Sequence, residues 1–417
     1  MKEVRGVLLV AAGMALLWSA GCGGGSSNSS SNSSTGVTAT PAIASSGSNV
    51  APIAVNAGPD GNYANGAFAT VTVCVPGTST CQTIDGVLVD TGSSGLRILS
   101  SVLTISLPQQ KAPDGNAVVE CLPFVTSFTW GPVETADVQI AGEKAASVPI
   151  QVPSDEDFTV PSACSNGSAS ADTVSALGAN GILGVGLFAQ DCGSACAQTG
   201  AGNPGLYYEC PSSNCASTGT VANEAVAQQV VNPVTMFASD NNGVILELPA
   251  VSGVEASVSG SLVFGIGTES NNGLGTASVY STDASGNFTV SYNGQSYSSS
   301  FIDSGSNGYF FLTSSLTGLP NCSSASGFYC PSSAMDFSAT NLGTNGTSGS
   351  VTFSVANAQT LFSNTSDSAF GNLGGPSTNN ASTSYFDWGL PFFYGRNVYT
   401  AIENASTPGG AGPYWAY

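Results

Sequence analysis

Two short segments carry the residue types that could do chemistry. Residues 88–99 read LVDTGSSGLRIL, and residues 301–312 read FIDSGSNGYFFL. In each, two apolar residues precede an Asp, followed by Thr or Ser, Gly, Ser, a polar residue, Gly and an apolar run ending in Leu. A single copy reads as an Asx-type turn closing a strand. A matched pair, one in each half of the chain, reads as an internal repeat with a shared purpose. Asp90 and Asp303 are then the candidate catalytic groups. Gly92 and Gly305 would let the copies approach closely, and the hydroxyls of Thr91 and Ser304 would bond across to the opposite loop. Ser93 and Ser306 would donate to the outer carboxylate oxygens. Two carboxyls at hydrogen-bonding distance resist double ionisation, so they share a proton and titrate in two separated steps. The ionised member can then activate a water while the protonated member polarises a scissile carbonyl.

Composition removes the rival chemistries. The 417 residues hold 26 acidic and 6 basic side chains and no histidine, a net charge of −20. Without imidazole there is no base for a serine or cysteine triad, and the usual catalytic zinc sites lack their ligands. Without clusters of Lys and Arg, nucleic-acid binding is excluded. No cofactor and no metal site are expected. Only 8% of residues are charged but 41% are hydrophobic, which excludes disorder for most of the chain.

The elements that must position the two Asp residues are short β-type runs broken by Gly, Asn, Ser and Pro. Phe68 to Val75, Ile84 to Val89, Ala136 to Ile140, Val244 to Leu248, Phe288 to Tyr292 and Val351 to Val355 are examples, and they predict an all-β protein. One helix is predicted over Asn223 to Val231, with Asn223 as N-cap and Pro233 beyond its end. Tyr414, Trp415 and Tyr417 predict a docked terminal strand. Asp155-Glu156-Asp157 reads as a solvated acidic loop before a calcium site. Trp388, Phe392, Phe393 and Tyr394 read as core before a sugar-stacking patch.

Lys2 and Arg5 precede an apolar run, Val7 to Trp18, that is shorter than the roughly 20 residues of a spanning helix and suits a signal peptide. The run Leu17-Trp18-Ser19-Ala20-Gly21-Cys22 resembles a bacterial lipobox. That resemblance implies cleavage of residues 1–21 and a lipid on Cys22. It also implies anchoring to a bilayer in the bacterial cell envelope, at the outer membrane where one exists because Gly23 follows. Residues 22–48 form a Gly/Ser/Asn-rich tether. Ten cysteines remain beyond Cys22, an even number suited to an oxidising compartment. Close spacing predicts Cys74–Cys81, Cys210–Cys215 and Cys322–Cys330 as disulfides, leaving Cys121, Cys164, Cys192 and Cys196.

Together with the two Asp loops, four further segments resemble the pepsin-like aspartic peptidases. NGILGVGL (180–187) is similar to the hydrophobic-hydrophobic-Gly element behind the first loop, and ADVQIAG (136–142) to the strand after the flap. Val234 to Gly267 resembles the entry to the second lobe, and WGLPFFYGRNVYTAIEN (388–404) the second hydrophobic-Gly element and its following strand. The resemblance implies a bilobal pepsin-like fold, with two pseudo-two-fold-related β lobes over 49–232 and 233–417 and a central cleft. It implies a polypeptide substrate and a monomer, in a bacterial lipoprotein branch of the clan. Departures are Arg97, where the family often has Trp, and Phe124, at the flap tyrosine position; both are flap or cleft candidates. Arg97 would either set a cation near the dyad or point into solvent. A third departure is Asp387-Trp388-Gly389 in place of two aliphatics and Gly, with Arg396 as a candidate partner for Asp387. The expected function is a lipid-anchored aspartic endopeptidase. The alternative is an inactive pepsin-like surface lipoprotein that binds peptide or glycan. The excess of acid further predicts tolerance of acidic surroundings.

Overall fold

The computed structural model describes residues 42–417 apart from 125–126, 155–156, 212–213 and 379. Cys22, the leader, most of the tether, and Asp155 and Glu156 lie outside the described residues. Among the described residues no helix is long and apolar enough to cross a membrane.

β-branched and aromatic alternation builds the strands, and their pairing repeats in the two halves. Cys81–Asp90 lies antiparallel to Gly66–Cys74 and parallel to Gly181–Val185, with Asp90 opposite Gly184. Gly181–Val185 runs antiparallel to Ser94–Ile98, with Leu183 opposite Leu96. In the second half Gln295–Ile302 lies parallel to Asp387–Trp388, with Ile302 opposite Trp388, and Tyr309–Phe311 runs antiparallel with Tyr309 opposite Trp388. In both halves the residue before the Asp and the residue seven further on flank one strand residue, Leu183 or Trp388. The fold is thus all-β and bilobal, two repeats of one strand pattern facing each other across a pseudo-two-fold axis.

The halves are also joined through a shared sheet. Val50–Asn56 pairs with Gly66–Cys74 on one side and Val258–Phe264 on the other. Gly243–Leu248, Arg396–Ala401 and Tyr414–Ala416 extend it, so the terminal aromatic strand is docked as expected. Asn65 fastens the halves from a buried position. Its amide donates to the carbonyls of Asn307 (2.8 Å) and Phe370 (2.9 Å), and its oxygen accepts from the Phe370 N–H (2.7 Å) and the Tyr394 hydroxyl (2.8 Å). Trp388, Phe392, Phe393 and Tyr394 are buried in the main core, so they present no sugar-stacking surface.

The predicted helix over Asn223 to Val231 is absent; only a 3-10 turn, Val226–Gln228, forms there. Tertiary partners override local propensity. The buried Gln229 amide donates to the carbonyls of Gly193 (2.8 Å) and Glu224 (2.9 Å), and the Val230 N–H donates to the Tyr207 hydroxyl (2.8 Å). These bonds hold the chain extended where a helix would turn it inward.

All ten described cysteines are paired. The three close-spaced bonds, Cys74–Cys81, Cys210–Cys215 and Cys322–Cys330, form as expected, and the remainder resolve into Cys121–Cys164 and Cys192–Cys196. Cys121–Cys164 ties the hairpin formed by Ala117–Pro123 and Ser127–Ile140 to the short helix Ser162–Ser165. That hairpin also has its outer edge covered by Tyr207–Cys210.

Candidate active site

Each Asp leaves the end of a buried strand and enters a loop held by its own backbone. The Gly92 N–H donates to Asp90 Oδ1 (2.8 Å) and the Ser93 hydroxyl to Asp90 Oδ2 (2.5 Å). The second loop repeats this, with the Gly305 N–H donating to Asp303 Oδ1 (2.7 Å) and the Ser306 hydroxyl to Asp303 Oδ2 (2.9 Å). Both carboxyls therefore have inner and outer oxygens oriented by identical donors, 213 residues apart in the chain.

The two loops also grip one another. The Thr91 N–H donates to Ser304 Oγ (3.1 Å), and the Ser304 N–H donates to Thr91 Oγ (2.9 Å). Ser304 Oγ further donates to the Val89 carbonyl (2.8 Å). Such a reciprocal lock needs short hydroxyl side chains at matching positions, which Thr and Ser supply. All eight residues expected at the dyad, Asp90, Thr91, Gly92, Ser93 and Asp303, Ser304, Gly305, Ser306, are brought together.

The approach is close enough to require glycine. A Cβ on Gly92 would lie 2.6 Å from the Asp303 carboxyl carbon, and one on Gly305 would lie 2.8 Å from that of Asp90. Gly92→Ala or Gly305→Ala is therefore expected to push the carboxyls apart. Displacements of about 1 Å in a reacting constellation can cost about 100-fold in rate, and that loss is the expected result in a cleavage assay.

Asp90 and Asp303 are 2% and 1% exposed. Burial pushes the Asp303 carboxyl well above the usual range, and the charges of Asp90 and then Asp387 push it further, against a lowering contribution from the Gly305 N–H. Asp303 thus favours its protonated form beside Asp90, the arrangement that an acid–base pair sharing one proton requires.

Other expected residues fall differently. Phe124 is buried beside Leu122, Ile182 and Tyr63, and its N–H donates to the Ser127 carbonyl (2.7 Å) at the end of the hairpin formed by Ala117–Pro123 and Ser127–Ile140. Arg97 neither meets the dyad nor points into solvent. It is 1% exposed, and its Nη2 contacts Glu120 Oε1 and Asp191 Oδ2, each at 3.0 Å. Tyr207 donates its hydroxyl to Asp191 Oδ1 (2.7 Å). The cation therefore ties the strand after the first loop to the strand Ala117–Pro123 that carries Glu120. Its length lets it reach partners that a strand-by-strand reading cannot bring near. Arg396 does not pair with Asp387. It donates to the Phe392 carbonyl (2.6 Å) and sits over the Phe392 ring. Asp387 itself is buried, with neither oxygen hydrogen-bonded.

One residue near the dyad escaped the sequence reading. Tyr63 is buried with its hydroxyl unpartnered among the described residues, and it packs edge-on to Phe68. Burial raises its pKa first, then the charges of Asp90 and Asp303. No motif marks it; it stands in an irregular loop two residues before Asn65.

Buried acids set the pH dependence of stability. Burial raises Asp387 and Asp191 well above the ordinary carboxylate range and raises Glu224 to about 7. Groups whose folded pKa is raised contribute stability that is complete below their unfolded pKa, near 4, and that is lost as pH rises through the folded value. Thermal midpoints are therefore expected to fall from about pH 4 towards pH 8. A steady rise across that range would contradict this reading.

The aspartic proteinase from Irpex lacteus, a crystal structure, is similar at a TM-score of 0.49 and 14% identity, covering 88% of this chain and 96% of that one. No curated protein matches in sequence. The profile of family DUF3443, described as a protein of unknown function, matches residues 45–417, and the chain belongs to that family.

Proposed function

We propose that this protein is an exported, lipid-anchored aspartic endopeptidase in which Asp90 and Asp303 activate water against a peptide bond. The observation that carries the reading is the reciprocal lock of the two Asp loops, within which each carboxyl accepts from an equivalent Gly N–H and Ser hydroxyl.

The chemistry follows from one shared proton. The ionised carboxyl takes a proton from water as the water oxygen bonds to the scissile carbonyl carbon. The protonated carboxyl gives its proton to the carbonyl oxygen, producing a neutral tetrahedral diol without net charge development in a buried site. The carboxyl that took the water proton then passes it to the amide nitrogen, which becomes a leaving amine. As the C–N bond breaks, one diol hydroxyl returns its proton to the other carboxylate, leaving a carboxylic acid, an amine and a pair that again holds one proton. The Ser93 and Ser306 hydroxyls and the Gly92 and Gly305 N–H groups hold the carboxyl planes still throughout.

In this reading residues 1–21 are a leader, Cys22 carries the lipid, residues 22–48 are a tether, and lobes over 49–232 and 233–417 enclose an extended polypeptide. The protein acts as a monomer in the bacterial cell envelope, with the disulfides formed in an oxidising compartment. An inactive binding module would leave two equally furnished carboxyl loops without a task. The test is incubation of a soluble form spanning 37–417 with denatured protein between pH 3 and 7. Cleavage blocked by a statine-type inhibitor is expected; cleavage indifferent to it, or none at any pH, would overturn the proposal.

A further inference from the structure

Asp387 is a buried acid beside the dyad that the catalytic scheme does not use. Its strand position is defined by two pairings, Phe301 on one side and Phe310 on the other. Ile182 has the matching pairings in the first half, with Leu88 and Arg97. Ile182 belongs to the apolar cluster of Leu122, Phe124 and Tyr63, beneath the flap hairpin and on the strand face that leads to Asp90. Asp387 therefore stands at the equivalent place beside Asp303, where symmetry calls for an aliphatic residue.

We propose that Asp387 makes the second-lobe side of the dyad selective for a basic substrate side chain, Lys or Arg, next to the scissile bond; this rests on the peptidase reading. The carboxyl is 1% exposed; the Ser306 hydroxyl lies beside it but gives its proton to Asp303 Oδ2, so among the described residues neither Asp387 oxygen receives a hydrogen bond. The groups that face it are the Ser306 hydroxyl, the carboxyls of Asp90 and Asp303, and the Tyr385 ring system, all neutral or anionic. Arg396 is held by Phe392 instead. A buried acid among acids is stable only as the neutral form or with a cation brought to it. A substrate ammonium or guanidinium supplies that cation. An aliphatic side chain in the same place leaves the acid unpartnered, and sites with stranded polar groups discriminate strongly against such ligands.

The experiment uses the full chain in detergent with non-cleavable statine-type peptides carrying Lys or norleucine on either side of the statine. Calorimetry compares wild type, Asp387→Asn and Asp387→Leu, each first checked for a cooperative thermal transition. Wild type is expected to bind one Lys peptide at least about tenfold tighter than its norleucine partner. Asp387→Asn is expected to lose that ratio, and Asp387→Leu to reverse it. No Lys preference in wild type, or a preference kept in both variants, would overturn the inference. A peptide-library digest separates the two proposals. Cleavage without basic preference leaves the peptidase reading standing and this one fallen. Lys-selective binding that requires Asp387, without cleavage, does the opposite.

Discussion

Asp90→Asn is expected to lower kcat for peptide-bond cleavage by at least about 10^3-fold with little change in KM. General acid–base catalysis contributes about 10^2 to 10^4-fold, and here one pair of carboxyls supplies both the acid and the base. Asn keeps the shape, and its single side-chain oxygen can still accept from the Gly92 N–H, which bonds Asp90 Oδ1, while the Ser93 hydroxyl, which bonds Asp90 Oδ2, meets the amide NH2 instead. It can neither take the proton of water nor share one with Asp303. The loss should therefore appear equally in kcat and kcat/KM, the signature of an interaction made only in the transition state. Asp303→Asn should behave alike, and the double variant should lose little more, because the two residues act as one unit. Steady-state kinetics on one peptide checks all three. Residual activity within about tenfold of wild type would place the chemistry elsewhere.

Arg97→Met is expected to destabilise the fold by about 3 to 5 kcal/mol at pH 7, the usual result of stranding buried charge. Arg97 lies between Glu120 and Asp191, which are likewise buried, so its removal leaves two facing acids with no cation. Met conserves much of the stem, which separates loss of charge from loss of packing. Burial raises the Asp191 carboxyl well above the ordinary range, with Glu120 adding to the rise and Arg97 opposing it. Without Arg97 that opposition disappears and the acids are driven towards their neutral forms. The penalty should therefore shrink as pH falls towards 4, and a denaturant series at pH 4 and pH 7 measures the difference. Equal destabilisation at both pH values would mean that the stem, not the charge, is what the cluster needs.

The residues that do the proposed chemistry were legible because they are local and repeated. DTGS and DSGS mark themselves, the strands before them are apolar, and their hydroxyl and glycine positions have uses that follow from bringing two copies together. The close-spaced disulfides were legible for the same reason, since Cys322 and Cys330, for example, are 8 residues apart. What was not legible depends on distant partners. Arg97 meets Asp191 across 94 residues, and Asn65 meets Tyr394 across 329. No periodicity encodes either contact. Asn223 to Val231 carried a helical pattern, but Gln229 and Val230 found better partners outside the segment. Asp387 was visible as a departure from an aliphatic pattern, yet its buried, unpartnered state follows only from the packing around it.

The most direct measurement of the central claim is a crystal structure of the protein with a statine-type peptide bound. The statine hydroxyl stands where the attacking water would, so it should lie within hydrogen-bonding distance of both the Asp90 and the Asp303 carboxyls, with the peptide extended beneath Phe124. A hydroxyl that touches only one of them, or a peptide seated away from both, would contradict the shared-proton mechanism.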